Sequence, residues 1–148
     1  MLTEILQEII LSNQKMFLDM TIYPRKIELD PNGNHVIVGP SRAGKSYLLY
    51  QYIQKKFYSV GEEVKILFIN FEDDRLIEFQ HTDFQLILDA YSKLFDKKPV
   101  IFLDEIQNIK YWEKFVRRLV DTEYQVFITG SNAQMLSKEI ATILGGRF

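Results

Sequence analysis

The octet Gly39-Pro40-Ser41-Arg42-Ala43-Gly44-Lys45-Ser46 constrains this chain more than any other stretch. It fills the pattern G-x-x-x-x-G-K-[ST], with Gly39, Gly44, Lys45 and Ser46 in the fixed places. Glycine reaches backbone conformations closed to other residues, so such a loop can close tightly around a bound group. Its successive N–H groups form a concavity suited to an anion, and a following helix adds the positive end of its dipole. The pattern carries that meaning only between a strand and a helix. Here the apolar run His35–Val38 precedes it and residues 45–58 are helical in pattern, so both flanks are present. In this setting residues 39–47, from Gly39 to Tyr47, form a candidate cradle for a nucleoside triphosphate, ATP foremost. Lys45 is placed to reach the β- and γ-phosphates, and the Ser46 hydroxyl to ligate Mg²⁺.

The rest of the chain supplies the sheet that such a loop needs. After the turn-forming stretch Asp30-Pro31-Asn32-Gly33-Asn34, strands and helices alternate. VKILFIN at 64–70 reads as a second strand, PVIFL at 99–103 as a third and QVFIT at 125–129 as a fourth. Helical patterns fill 84–95, 111–120 and 133–144 between and after them. Four apolar strands separated by helices imply an α/β fold with a parallel sheet covered on both faces. Ahead of this core, Leu2, Ile5, Leu6, Ile9 and Ile10 recur at helical spacing, so an amphipathic helix is expected over about 2–18. Its apolar face is expected to lie on the domain. With 148 residues, 47% of them hydrophobic, the chain reads as one domain over 1–148.

A second group of residues bears on chemistry. The third strand runs into Asp104 and Glu105. In a parallel sheet the carboxyl ends of the strands share the ligand edge. Asp104 is thus a candidate Mg²⁺ ligand, and Glu105 a candidate base for an attacking water. The paired carboxylates favour hydrolysis over phosphoryl transfer to a metabolite. The fourth strand ends in Thr129-Gly130-Ser131-Asn132, where Asn132 or Ser131 is placed to position the water or touch the γ-phosphate. Near the C-terminus, Gly145-Gly146 leaves Arg147 on a turn, either as an ordinary surface arginine or as a finger reaching a neighbour's nucleotide. The carboxylates in Asn70-Phe71-Glu72-Asp73-Asp74-Arg75 either help order the site edge or form a solvated turn, the turn being favoured, and the Tyr111-Trp112-Phe115 cluster reads as helix packing rather than base stacking. His35 and His81 show no metal-ligand spacing, and Arg117 and Arg118 are expected to face solvent.

Several classes are disfavoured. A formal charge of -2 gives no support to nucleic-acid binding by the chain as a whole. Cysteine is absent, which excludes disulfides and thiolate metal sites and fits a cytoplasmic setting. Glu4 and Glu8 interrupt the N-terminal apolar run and no basic segment precedes it, so neither a signal peptide nor a membrane span is expected. A GTPase is disfavoured because no Asn-Lys-x-Asp element is present.

Taken together, the pieces resemble the AAA-type P-loop ATPases of prokaryotes that carry a further domain after the ATPase domain. The stretches that carry the resemblance are GPSRAGKSYLL, ILFINFEDDRL, VIFLDEIQNIKYWEKFVRRL and VFITGSNAQMLSKEIATILGGRF, from about Val36 to Phe148. The resemblance implies a three-layer core with strand order 5-1-4-3-2. It gives Lys45, Ser46, Asp104 and Glu105 the ATPase roles above, makes Asn132 the sensor residue, and puts Arg147 at the arginine-finger position. The family's fifth strand and following domain have no counterpart in these residues, so the chain is expected to be a shortened version with strand one at an edge. An open edge invites association with a second copy or a partner subunit. Two functions from different classes follow: an Mg²⁺-dependent ATPase driving a conformational change, or an ATP-binding switch with little turnover.

Overall fold

The computed structural model describes residues 1–21, 33–39 and 44–131. Its elements run α1 (Leu2–Asp19), β1 (His35–Val38), α2 (Lys45–Lys56), β2 (Ile66–Asn70), α3 (Phe84–Leu94), β3 (Val100–Asp104), α4 (Trp112–Asp121) and β4 (Val126–Gly130). The expected strands and helices among these residues are all present, with ends shifted by at most a few residues. The start of β2 moves because Glu63–Lys65 forms a single 3-10 turn, whose Val64 carbonyl accepts the Tyr91 hydroxyl at 2.6 Å. The expected helix over 133–144 lies outside the described residues.

All pairings are parallel and the order is β1-β4-β3-β2. This is the expected 5-1-4-3-2 order without its first member. β1 pairs with β4 alone among the described residues, and its four residues are only half-buried, as befits an edge.

The strand period of two sorts the core into halves. On one face Leu67, Ile69, Ile101, Leu103, Val126 and Ile128 meet α3 and α4. On the other, Ile66, Phe68, Phe102 and Phe127 meet Leu49, Tyr52 and Ile53 of α2. Helices on both faces of a parallel sheet make the three layers.

Register places four rings in a row across the second face. Phe68 pairs with Phe102, Phe102 with Phe127, and His35 with Phe127. Their centroids are 6.2, 4.8 and 4.9 Å apart with interplanar angles of 26°, 19° and 23°. Such cross-strand pairs are a main source of sheet stability. His35, isolated in sequence, thus ends an aromatic ladder.

Helix α1 does more than cover a face. Leu6, Ile9 and Ile10 join the α3 side of the core, whereas Phe17 joins the α2 side, so the helix crosses the outer edge of β2. Asn13 Nδ2 donates to the Phe68 carbonyl at 2.8 Å, and Gln14 Nε2 to the Ile66 carbonyl at 2.9 Å. Two side-chain amides therefore satisfy edge carbonyls that a neighbouring strand would otherwise take. Gln54 of α2 returns a bond to the Phe17 carbonyl at 2.8 Å, and the Tyr58 hydroxyl donates to the Gln14 carbonyl. Gln14→Ala is expected to leave the Ile66 carbonyl buried and unpaired, costing about 1–3 kcal/mol. Urea unfolding monitored by the single tryptophan checks this, with Lys15→Ala on the exposed face as the neutral control.

Candidate phosphate and metal site

Parallel register brings every strand's carboxyl end to one edge. Val38 lies beside Gly130, and Asn70 beside Asp104. The last registered pair of β3 and β4, Leu103 with Ile128, leads directly to Asp104 and Thr129. Polar groups collect at this edge because the apolar pattern of each strand stops there.

Gly44 precedes α2 with φ 89° and ψ 7°, a left-handed conformation that a side chain would strain. That turn sets Lys45 and Ser46 in the first turn of the helix, facing the end of β3. Ser46 Oγ donates to Asp104 and lies 3.1 Å from each carboxylate oxygen. Lys45 Nζ lies 2.6 Å from Glu105 Oε1, and the two side chains are 6% and 5% exposed. The two sequence-predicted pairs, one from the loop and one from the strand end, are thus brought together. Tyr47 is half-buried one residue on. Gly39 donates its amide to the Gly130 carbonyl at 3.2 Å, extending the β1–β4 pairing by a residue.

Glu105 is held from several directions. Its backbone is left-handed at φ 56° and ψ 46°, which costs a non-glycine residue about 1–3 kcal/mol. Oε2 accepts from Ser131 Oγ at 2.7 Å and from Gln107 Nε2 at 3.1 Å. Oε1 is buried and faces the Lys45 ammonium. Desolvation alone would raise the Glu105 carboxyl. Lys45, Ser131 and Gln107 outweigh it and hold the group below the usual range. Asp104 goes the other way: desolvation pushes it up, against the opposing bonds from Thr129 and Ser46.

Two further residues belong to this site without a role read from the sequence, Thr129 and Gln107. Thr129 is fully buried and its hydroxyl donates to Asp104 Oδ1 while accepting the Glu105 amide at 2.9 Å. Gln107 ties Glu105 to Ser131. Nearby, the Tyr50 hydroxyl is pushed up by burial and then by the Asp104 charge. At the rim, the exposed Glu72 carboxyl is pushed up by desolvation and then by the Glu105 charge. In the sequence Thr129 shows only as a polar residue inside the apolar run VFITG, and Gln107 only as a polar residue two places after Glu105.

The reading of residues 70–75 as a solvated turn fits Glu72, whose side chain is exposed. Asp73 beside it is half-buried, caps a 3-10 turn by accepting the Arg75 amide and pairs with the Arg75 guanidinium at 2.7 Å. Trp112 and Phe115 are buried as expected, but Tyr111 is 58% exposed and sits edge-on to His81. Arg117 and Arg118 are exposed, and Arg118 donates to Gln85 at 2.6 Å. Pro40, Ser41, Arg42, Ala43, Asn132 and Arg147 lie outside the described residues.

The donors at Ser46 and Asp104 are hard oxygens, which suits Mg²⁺. Among the described residues no group of three His, Cys, Asp or Glu converges to hold a metal alone. A cation here would take its other ligands from phosphate oxygens and water, as Mg²⁺ commonly does at nucleotide sites. No described helix is long and apolar enough to cross a membrane.

A four-stranded parallel sheet with this loop and these strand-end carboxylates defines a P-loop nucleoside-triphosphatase type of core. The AAA domain family profile matches residues 32–148, and the chain belongs to that family. A protein of Methanocaldococcus jannaschii is 41% identical over 143 residues, which are 95% of this chain and 31% of that protein. A Haemophilus influenzae protein is 38% identical over 118 residues, 76% of this chain and 29% of its own length. Both bear the name of uncharacterized proteins. The chain thus spans about a third of the length of these relatives. Helix α1 precedes the matched span, yet it is built into both halves of the core.

Proposed function

We propose that this chain binds ATP with Mg²⁺ and hydrolyses it, the turnover driving a conformational change in attached or partner segments. One observation carries the reading. The left-handed turn at Gly44 delivers Lys45 and Ser46 to the two carboxylates of β3, 2.6 Å from Glu105 and 3.1 Å from Asp104. Residues 39–47, including Pro40, Ser41, Arg42, Ala43 and Tyr47, take the phosphates, with Lys45 against the β- and γ-oxygens. Ser46 and Asp104 would hold the metal, which would supply charge neutralisation at the phosphates. Glu105 accepts the proton of the attacking water, and its depressed carboxyl is ionised and ready at neutral pH. Asn132 as sensor and Arg147 as arginine finger enter on sequence position.

The second reading, a nucleotide-binding switch with little turnover, is favoured by the same ion pair, because Lys45 and Glu105 occupy each other. Titration calorimetry with ATP, with and without Mg²⁺, and a phosphate-release assay separate the readings. Mg²⁺-enhanced binding with release above background is the expected result. Binding without release leaves the switch, and absence of binding removes both.

A further inference from the structure

A buried hydroxyl can donate one hydrogen bond, and that limit gives Thr129 a definite job. Its proton goes to Asp104 Oδ1, so its oxygen is left to accept the Glu105 amide at 2.9 Å. The result is a directional chain: Glu105 N–H to Thr129 Oγ1, and Thr129 O–H to Asp104. Thr129 is fully buried and belongs to β4, one strand away from the two acids it joins. Glu105 sits just where the backbone leaves β3 through a left-handed turn. Without an anchor on its amide, nothing within β3 itself would fix that turn. Its side chain has separate supports, from Ser131 and Gln107 on Oε2 and from Lys45 on Oε1.

We propose that Thr129 is a positioning residue that ties the metal-side carboxylate Asp104 to the backbone of the base Glu105, so that both acids are placed as one unit. The kinetic part of this proposal rests on the ATPase reading; the structural part does not. Because the tether acts on the Glu105 backbone, it is separable from the side-chain bonds of Ser131 and Gln107. Its loss should lower the catalytic step while leaving phosphate contacts intact, since none of those pass through Thr129. A displacement of about 1 Å at a reacting group can cost on the order of 10²-fold in rate.

The test compares Thr129→Val, which keeps shape and removes the hydroxyl, with Thr129→Ser, which keeps it. Amide exchange at Glu105, followed by NMR in the nucleotide-free and metal-free protein, is the first measurement. Protection in wild type and Thr129→Ser, with exchange at least about tenfold faster in Thr129→Val and Leu103 unchanged, is expected. Steady-state kinetics is the second: kcat falls on the order of 10²-fold in Thr129→Val, KM for ATP stays near wild type, and Thr129→Ser keeps the wild-type order of magnitude. Equal Glu105 exchange in all three proteins overturns the proposal, as does a Thr129→Val variant of lowered melting temperature with normal kcat. Should Thr129→Val not fold, exchange at Glu105 in wild type decides, and free-amide exchange there overturns the tether. A wild type that protects Glu105 but binds no ATP retires the nucleotide reading and leaves the tether standing. One that hydrolyses ATP with an unprotected Glu105 amide retires the tether alone.

Discussion

Lys45→Ala is expected to weaken ATP binding by about 10²–10⁴-fold. The estimate comes from two lost charge-assisted contacts to phosphate, each worth about 1.5–3 kcal/mol, at about 1.4 kcal/mol per factor of ten. The structure adds a complication. Lys45 is also the buried counter-ion of Glu105, 2.6 Å away. Removing one member of a buried pair commonly costs about 3–5 kcal/mol because the other charge is stranded. Glu105 keeps its bonds from Ser131 and Gln107, which soften that cost. A loss of binding in Lys45→Ala alone would therefore confuse a missing phosphate contact with a damaged fold. The double variant Lys45→Ala, Glu105→Gln removes the stranded charge. It should regain melting temperature over the single variant yet still fail to bind ATP in calorimetry. Wild-type affinity in that folded double variant would show that Lys45 does not contact phosphate.

Why these residues were legible in the sequence, and others were not, follows from what local pattern can encode. Each strand of the sheet is an apolar run closed by a polar or glycine residue, and the loop pattern fixes the first strand and second helix by itself. Those signals are local, so β1, α2, β3 and β4 fall close to where the residues put them. The acids Asp104 and Glu105 are legible for the same reason, since any strand end in a parallel sheet lies at the ligand edge. What was not legible depends on register or on the third dimension. The ladder Phe68, Phe102, Phe127 and His35 exists only once three pairings are set. Thr129 reads as one more strand residue until β4 lies beside β3. Asn13 and Gln14 resemble the solvated side of an amphipathic helix, and become edge caps because α1 crosses β2.

The other large effect is expected from Glu105→Gln, and it has two parts of opposite sign. Turnover should fall by about 10²–10⁴-fold, the usual contribution of a positioned base, since the amide cannot take the proton of the attacking water. Nucleotide affinity should rise. Glu105 Oε1 holds the Lys45 ammonium, and a bound triphosphate needs that ammonium for itself. Phosphate must therefore compete with a buried carboxylate whose ionised form Lys45, Ser131 and Gln107 stabilise. Glutamine keeps the size and an acceptor for Ser131 but drops the charge, so the competition weakens and the ammonium is released at lower cost. A gain of about tenfold, or roughly 1.4 kcal/mol, is the scale expected for a partly compensated pair. ADP and a non-hydrolysable ATP analogue are the ligands to titrate, because slowed hydrolysis alone makes ATP itself seem to bind more tightly. The two parts stand separately. Phosphate release at the wild-type rate would remove Glu105 as the base. Unchanged ADP and analogue affinity would instead show that the Lys45–Glu105 pair yields to phosphate at no cost, and would leave the assignment of the base intact.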